Sequence, residues 1–185
     1  MAKVVWSNAY FLKRDEFYEV EKPYSLRFAP PEGISRANIK LENHSINIHD
    51  VRGSQSLSFA KDGFTVLDFD SKMKYEDFDD EETVKAMFLL EVADMLKSFL
   101  GAQHVQIFEH TIRKQHETFP ISTGRPYRYN QPTSIAHVDT TVSWALNLAQ
   151  QLNAAKAANL MRHRIQCVKY VFDEKTKSVS LPLIL

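Results

Sequence analysis

The residues best equipped for chemistry lie in the run Ile135-Ala136-His137-Val138-Asp139-Thr140-Thr141. On a strand, residues two apart point to the same face. His137 and Asp139 can therefore offer one imidazole nitrogen and one carboxylate oxygen to a single metal ion. That is two thirds of the 2-His-1-carboxylate facial triad of non-haem Fe(II) oxygenases, which leaves positions for a co-substrate, water and O2. The triplet alone is a weak signal. With 7 His and 11 Asp in 185 residues, about 0.4 HxD triplets arise by chance. On spacing alone, a strand-end histidine beside a turn-forming aspartate fits at least as well.

The elements around this run are legible from pattern. Glu81 to Leu100 has Val84, Met87, Phe88, Val92, Met95, Leu96 and Phe99 at three- and four-residue spacing, which predicts a helix with one apolar face. Asp79 and Asp80 are its N-cap candidates, and Gly101 suits a left-handed C-cap. Ile39 to Val51 reads as extended. Phe59 to Phe69 reads as two short apolar runs around a hairpin-type Asp62-Gly63 turn. His104 to Arg113 and Arg164 to Phe172 read as strands. Thr141 to Met161 reads as a helix, and Asp173 to Lys177 as a charged turn. Lys114 to Thr133 is loop-like, with Pro120, Gly124, Pro126 and Pro132. Arg125, Tyr127 and Tyr129 in that loop are candidates to line a substrate mouth, and Arg113 is a candidate pocket arginine. An ordinary polar loop and an exposed strand arginine are the competing readings.

Composition narrows the function classes. A length of 185 residues suits one domain. Lys plus Arg and Asp plus Glu each number 23, so the net charge is zero, and a general electrostatic grip on nucleic acid or an anionic membrane is not expected. The single cysteine, Cys167, excludes a disulfide framework and a cysteine-based zinc site. Cys167 has no recognisable catalytic partner and reads as a buried inert thiol. No GxGxxG or GxxxxGK[ST] loop is present. The most apolar stretch, Ala86 to Leu100, is broken by Glu91, Asp94 and Lys97. With no signal-type N-terminus, a cytoplasmic protein is the expectation.

Collinear motifs sharpen the reading. Glu21-Lys22-Pro23-Tyr24, Ala37-Asn38-Ile39, Asp50-Val51-Arg52-Gly53, Asp62-Gly63-Phe64, Asp77-Phe78 and Gly101-Ala102 occur in that order. Val105 to Arg113 and then Gln131-Pro132-Thr133 ahead of Ala136 to Thr141 complete the series. Together they resemble the fungal AsaB-type hydroxylase/desaturase family, which is similar to the CmcJ-type proteins. The resemblance runs from about Tyr18 to Val168. It implies an α/β (α+β) fold, a double-stranded β-helix or jelly roll with flanking helices. It implies a non-haem iron, 2-oxoglutarate-dependent oxidoreductase that hydroxylates or desaturates a small secondary metabolite. It carries over His137 and Asp139 as iron ligands, with Fe(II) and 2-oxoglutarate as cofactors and a small molecule as the only expected partner. The oligomeric state is not indicated.

The sequence departs from that family after Val168. The segment Arg164 to Val168 looks like the start of a later family strand, but Lys169 to Leu185 holds no histidine or arginine. The distal iron ligand and the arginine that would pair with the 2-oxoglutarate carboxylate are thus not found. The expectation is an incomplete jelly roll: a family-like domain over residues 1–168 and a divergent tail over 169–185 ending in the apolar SLPLIL, as if the chain were C-terminally truncated. His163 is the one candidate replacement ligand, and a helix-terminal histidine is the simpler reading. The alternatives to an oxygenase are a catalytically inactive remnant and a metal-independent binder that uses the loop around Tyr127.

Overall fold

The computed structural model describes residues 4–26, 28–51, 57–118, 127–131, 133, 135–173 and 178–182. The chain forms two compact units, one of Met1–Val51 with Thr133–Thr141 and one of Arg52–Pro132 with Val142–Leu185. It combines helices with antiparallel strands, as expected for an α+β chain.

The first unit is built on a two-stranded ribbon. β1 (Val4–Leu12) is rich in β-branched and aromatic residues, which suits a pleated surface. It pairs antiparallel with β2 (Leu41–His49) in an unbroken register from Val4 opposite His49 to Leu12 opposite Leu41. Between them lie the single-turn helix α1 (Phe17–Val20) and a loop closed by one side chain. Asn38 accepts the Tyr24 amide at 2.7 Å and donates to Glu21 Oε1 at 2.9 Å and to the Lys22 carbonyl at 3.1 Å. Tyr18 adds a second tie, donating to the Asn38 carbonyl and accepting the Lys40 amide, both at 2.7 Å. The EKPY and ANI motifs are thus two halves of one polar lock. Ile135 and Ala136 lie beside β1: Tyr10 and Ile135 form a parallel bridge, and the Ala136 amide donates to the Tyr10 carbonyl at 2.8 Å.

The second unit is organised by the helix expected at 81–100. α3 (Glu81–Thr83), a π-wound segment (Val84–Phe88) and α4 (Leu89–Leu100) follow without interruption. Val84, Phe88, Val92 and Leu96, spaced four apart, are buried with Met73. In a pure α-helix that spacing drifts about 40° per step. The wider π turn offsets part of the drift and keeps the four on one face. Phe88 sits among aromatic rings, 5.0 Å from Phe78, 5.1 Å from Phe172 and 6.1 Å from Phe69. Each such buried side chain contributes about 1.5–3 kcal/mol. Asp80 is the cap, accepting the Glu82 amide at 3.2 Å. Asp79 is not the cap; it turns to Lys114 and Tyr129. Gly101 closes the helix at φ 61°, the left-handed conformation that glycine adopts without strain.

Several expected strands are replaced. Phe59–Asp62 is a single helical turn, α2, and not the arm of a hairpin. Gly63, at φ 74°, caps that turn and leads into β3 (Phe64–Asp68). The Asp-Gly pair supplies positive φ in either setting, and Asp62 accepts the Ser58 amide at 2.8 Å to close the turn. His104 to Arg113 forms no ladder; its one bridge joins Arg113 to Asn130. Val105, Ile107 and Ile112 pack on the helix core, so the alternation there reports burial and not strand pairing. In Arg164 to Phe172, Val168 makes an isolated bridge and the strand β4 (Val171–Asp173) begins only at Val171. Ser134 to Thr141 has the single bridge at Ile135, and Ser134 itself lies outside the described residues.

The helix expected over Thr141 to Met161 breaks once. α5 (Val142–Leu152) ends where Asn153 folds back to the Ala149 carbonyl at 3.0 Å and reaches Gln106 at 2.8 Å. A 3-10 turn (Ala154–Lys156) and the short α6 (Ala157–Leu160) follow. β5 (Ser178–Pro182) lies within the tail. It is the central strand of the antiparallel order β3-β5-β4, with Ser180 opposite both Val66 and Val171. Of the charged turn expected over Asp173 to Lys177, Asp173 ends β4, and residues 174–177, like the last residues, 183–185, lie outside the described residues.

Candidate metal centre

His137 and Asp139 are brought together. Nε2 of His137 stands 3.3 Å from Oδ1 of Asp139, and both side chains are about half exposed. The other ring nitrogen, Nδ1, lies 2.8 Å from the Ile135 carbonyl oxygen. A carbonyl oxygen can only accept, so Nδ1 carries the proton and the neutral ring presents its lone pair at Nε2. That lone pair then faces a carboxylate oxygen, which also carries lone pairs. The arrangement needs a cation between the two atoms, either a second proton on the ring or a metal ion.

The donor set fits a metal. Two ligand atoms about 2.1 Å from one ion, at the right angle of an octahedral site, stand about 3.0 Å apart, close to the distance observed. The Nδ1–H···O=C bond is the usual arrangement that orients a metal-bound histidine. The neighbouring backbone is fixed as well. The Ile135 amide donates to the Thr133 hydroxyl at 3.2 Å, and the Ala136 amide is held by Tyr10. Among the described residues, no group of three or more His, Cys, Asp or Glu side chains is placed to hold a metal. A facial site uses three protein ligands, and this pair offers two candidate donor atoms toward one.

The other candidates lie in the second unit. Arg113 donates through Nη1 to the Gln131 carbonyl at 2.6 Å. The Tyr129 hydroxyl donates to Asp79 at 2.5 Å, and Asp79 also accepts from Lys114 Nζ. Lys114 lies over the rings of Tyr75 and Tyr129, with its nitrogen 4.4 and 4.9 Å from their centroids. The Lys114 hydrogen bond, followed by that of Tyr129, holds the Asp79 carboxyl below the usual range, and Asp79 in turn raises both Lys114 and Tyr129. Tyr127 rests against the His116 ring, 5.1 Å between centroids. Arg125 lies outside the described residues. His163 closes the turn after α6, its amide bonding to the Leu160 carbonyl at 3.0 Å. Cys167 is buried, and burial pushes its thiol pKa up.

Sequence reasoning missed Lys114, Gln131 and the Ile135 carbonyl. The Gln131 side chain makes three hydrogen bonds, donating to the Lys114 and Tyr129 carbonyls at 2.9 Å and accepting the His116 amide at 2.9 Å. Its place in the Gln131-Pro132-Thr133 block was the one available signal.

Comparison with known proteins agrees with these observations. Residues 9–170 match the family model described as oxidoreductase/YMDC permease-like domain. The chain is 29% identical over 164 residues to the Fe(II)/2-oxoglutarate-dependent dioxygenase nvfI of Aspergillus novofumigatus, covering 86% of this chain and 56% of that protein. It is 29% identical over 147 residues to the hydroxylase/desaturase poxK of Penicillium oxalicum, covering 76% and 43%. The chain thus spans about half the length of these curated relatives. The solved structure of the iron and alpha-ketoglutarate-dependent endoperoxidase NvfI superposes with a TM-score of 0.73 at 18% identity, over 98% of this chain and 84% of that one. At that identity the likeness speaks to the fold, which the two share. No helix among the described residues is long and apolar enough to cross a membrane.

Proposed function

This chain belongs to the family of the oxidoreductase/YMDC permease-like domain and is similar to fungal hydroxylase/desaturases, and from that premise we propose that it is part of an Fe(II)/2-oxoglutarate-dependent oxidoreductase acting on a small secondary metabolite. The observation that carries the proposal is the convergence of His137 Nε2 and Asp139 Oδ1 to 3.3 Å, with the ring proton held on the Ile135 carbonyl. His137 and Asp139 are the proposed iron ligands.

Iron and 2-oxoglutarate, when bound, supply the oxidising power for hydroxylation or desaturation of a substrate carbon. The chain's own residues bind and orient. His137 offers a lone pair whose direction is set by the Nδ1–H bond, so the ring does not have to be ordered when a metal arrives. Asp139 offers the anionic oxygen that offsets part of the ion's charge. β1 holds the ligand-bearing segment through the Tyr10 carbonyl. Arg113 and Tyr129 act first on the loop itself, through Gln131 and Asp79. Tyr127 is the remaining proposed substrate contact. In the same reading, residues 1–168 form the family-like domain, an incomplete double-stranded β-helix, and 169–185 its divergent extension.

The test is anaerobic calorimetric titration with Fe(II) and then 2-oxoglutarate. The parent chain is expected to bind one Fe(II), with at least tenfold weaker binding in His137→Ala. Equal binding by parent and variant would overturn the proposal.

A further inference from the structure

We infer that Thr133 is a positioning residue for the metal pair, because its hydroxyl helps to fix the carbonyl from which the His137 ring takes its direction. The role rests on the metal reading of His137 and Asp139. Tyr10, Thr133, Ile135, Ala136, His137 and Asp139 all belong to the first unit. The Thr133 hydroxyl accepts the Ile135 amide at 3.2 Å, the local bond that threonine makes with the backbone two residues on. The Ile135 carbonyl accepts from His137 Nδ1 at 2.8 Å. The Ala136 amide, in the same peptide plane as that carbonyl, donates to the Tyr10 carbonyl at 2.8 Å.

Each peptide unit is planar, so the backbone turns only at φ and ψ. Ile135 therefore joins two planes. The plane before it is held at its N–H by Thr133. The plane after it is held at its N–H by Tyr10, and its carbonyl receives the His137 ring. A plane held only at its N–H can swing about that bond and carry its carbonyl with it. The Thr133 bond restricts the swing, because it fixes the adjoining plane one residue away. Threonine suits the task, since its branched Cβ keeps χ1, and with it the hydroxyl, in few positions. Removing the hydroxyl gives the backbone states that metal binding must then remove, and that ordering weakens affinity. Thr133 acts on the ion through the Ile135 carbonyl and the ring, and not by touching it.

The experiment compares the full chain with Thr133→Val, which keeps the shape and loses the hydroxyl, and with Thr133→Ser, which keeps the hydroxyl. Both His137→Ala and the double variant Thr133→Val/His137→Ala are included. Ser45→Ala is the control, since Ser45 donates to Asn8 Oδ1 at 3.0 Å across the ribbon of the same unit. Two quantities are read: hydrogen exchange at the Ile135 amide, and the dissociation constant for Co(II) by absorbance. Thr133→Val is expected to speed Ile135 exchange and weaken Co(II) binding about threefold, the effect of losing one ordinary hydrogen bond. Thr133→Ser is expected to restore both readings, and Ser45→Ala to leave both at the parent value. In the His137→Ala background, Thr133→Val is expected to change Co(II) affinity no further. Thr133→Ala carries the test if the valine variant does not fold. Parent-like affinity in Thr133→Val, equal weakening in Thr133→Ser or Ser45→Ala, or the same weakening without His137 would overturn the inference alone. Co(II) affinity unchanged by His137→Ala would overturn the metal reading and this inference with it.

Discussion

The imidazole Nδ1 of His137 donates to the carbonyl oxygen of Ile135, two residues back, at 2.8 Å. This contact decides which nitrogen faces Asp139. It turns a surface histidine into a donor with a fixed direction, and it lies in the backbone of the same segment.

The first prediction is the tautomer. Long-range proton–nitrogen NMR of the protein titrated with Zn(II) should show the His137 ring protonated at Nδ1 and without a proton at Nε2. A ring protonated at Nε2 would mean that the Ile135 contact does not hold in solution.

A second prediction concerns Asn38. Its side chain joins Tyr24, Glu21 and Lys22 across the loop between β1 and β2. Asn38→Ala leaves the Tyr24 amide without its acceptor and should lower stability by about 1–2 kcal/mol in urea unfolding. Asn38→Asp keeps the acceptor for the Tyr24 amide but sets a second carboxylate oxygen against Glu21 Oε1, so part of the loss should remain. No loss in either variant would show that the lock contributes nothing.

A third prediction is a pH dependence. Lys114, and after it Tyr129, hold the Asp79 carboxyl below the ordinary range. A lowered native pKa contributes stability that is fully present above the unfolded carboxylate value of about 3.9. That contribution is lost as pH falls through the lower native value. Tyr129→Phe removes one of the two donors, so Asp79 should then titrate closer to its ordinary value. Carboxyl carbon NMR titration of parent and variant reads this directly, and identical midpoints would exclude Tyr129 as a cause.

A fourth prediction tests the core. Phe88 is 5% exposed and meets Phe69, Phe78, Tyr170 and Phe172. Phe88→Ala should cost about 3–5 kcal/mol, a large share of the roughly 5–15 kcal/mol that holds most domains folded. Urea unfolding with a midpoint unchanged from the parent would contradict that placement.

Local signals carried the helix at 81–100 from sequence to structure. Asp80, the four-residue apolar spacing and Gly101 act within a turn or two of themselves, so each is written where it works. The misread segments share one cause. Residues 104–113 alternate because one side packs on the helix, while their backbone finds no ladder. Asp62-Gly63 provides positive φ, and whether that ends a helical turn or joins two strands depends on distant packing. The approach of His137 to Asp139 was legible because the two residues sit two apart. Gln131 and Lys114 were not, because the bonds that join Gln131 to Lys114 and His116, and Lys114 to Asp79, span 15 to 35 residues. Glu21 to Tyr24 and Ala37 to Ile39 were visible as separate motifs, and only the fold shows that Asn38 joins them.

The most direct test is an Mn(II) titration followed by electron paramagnetic resonance on the parent chain, His137→Ala and Asp139→Ala. One His137- and Asp139-dependent ion per chain is expected, with affinity falling at least 10–100-fold in each variant, because losing a ligand costs no less than losing its supporting partner. Equal Mn(II) binding in all three proteins would contradict the assignment of His137 and Asp139 as a metal-binding pair.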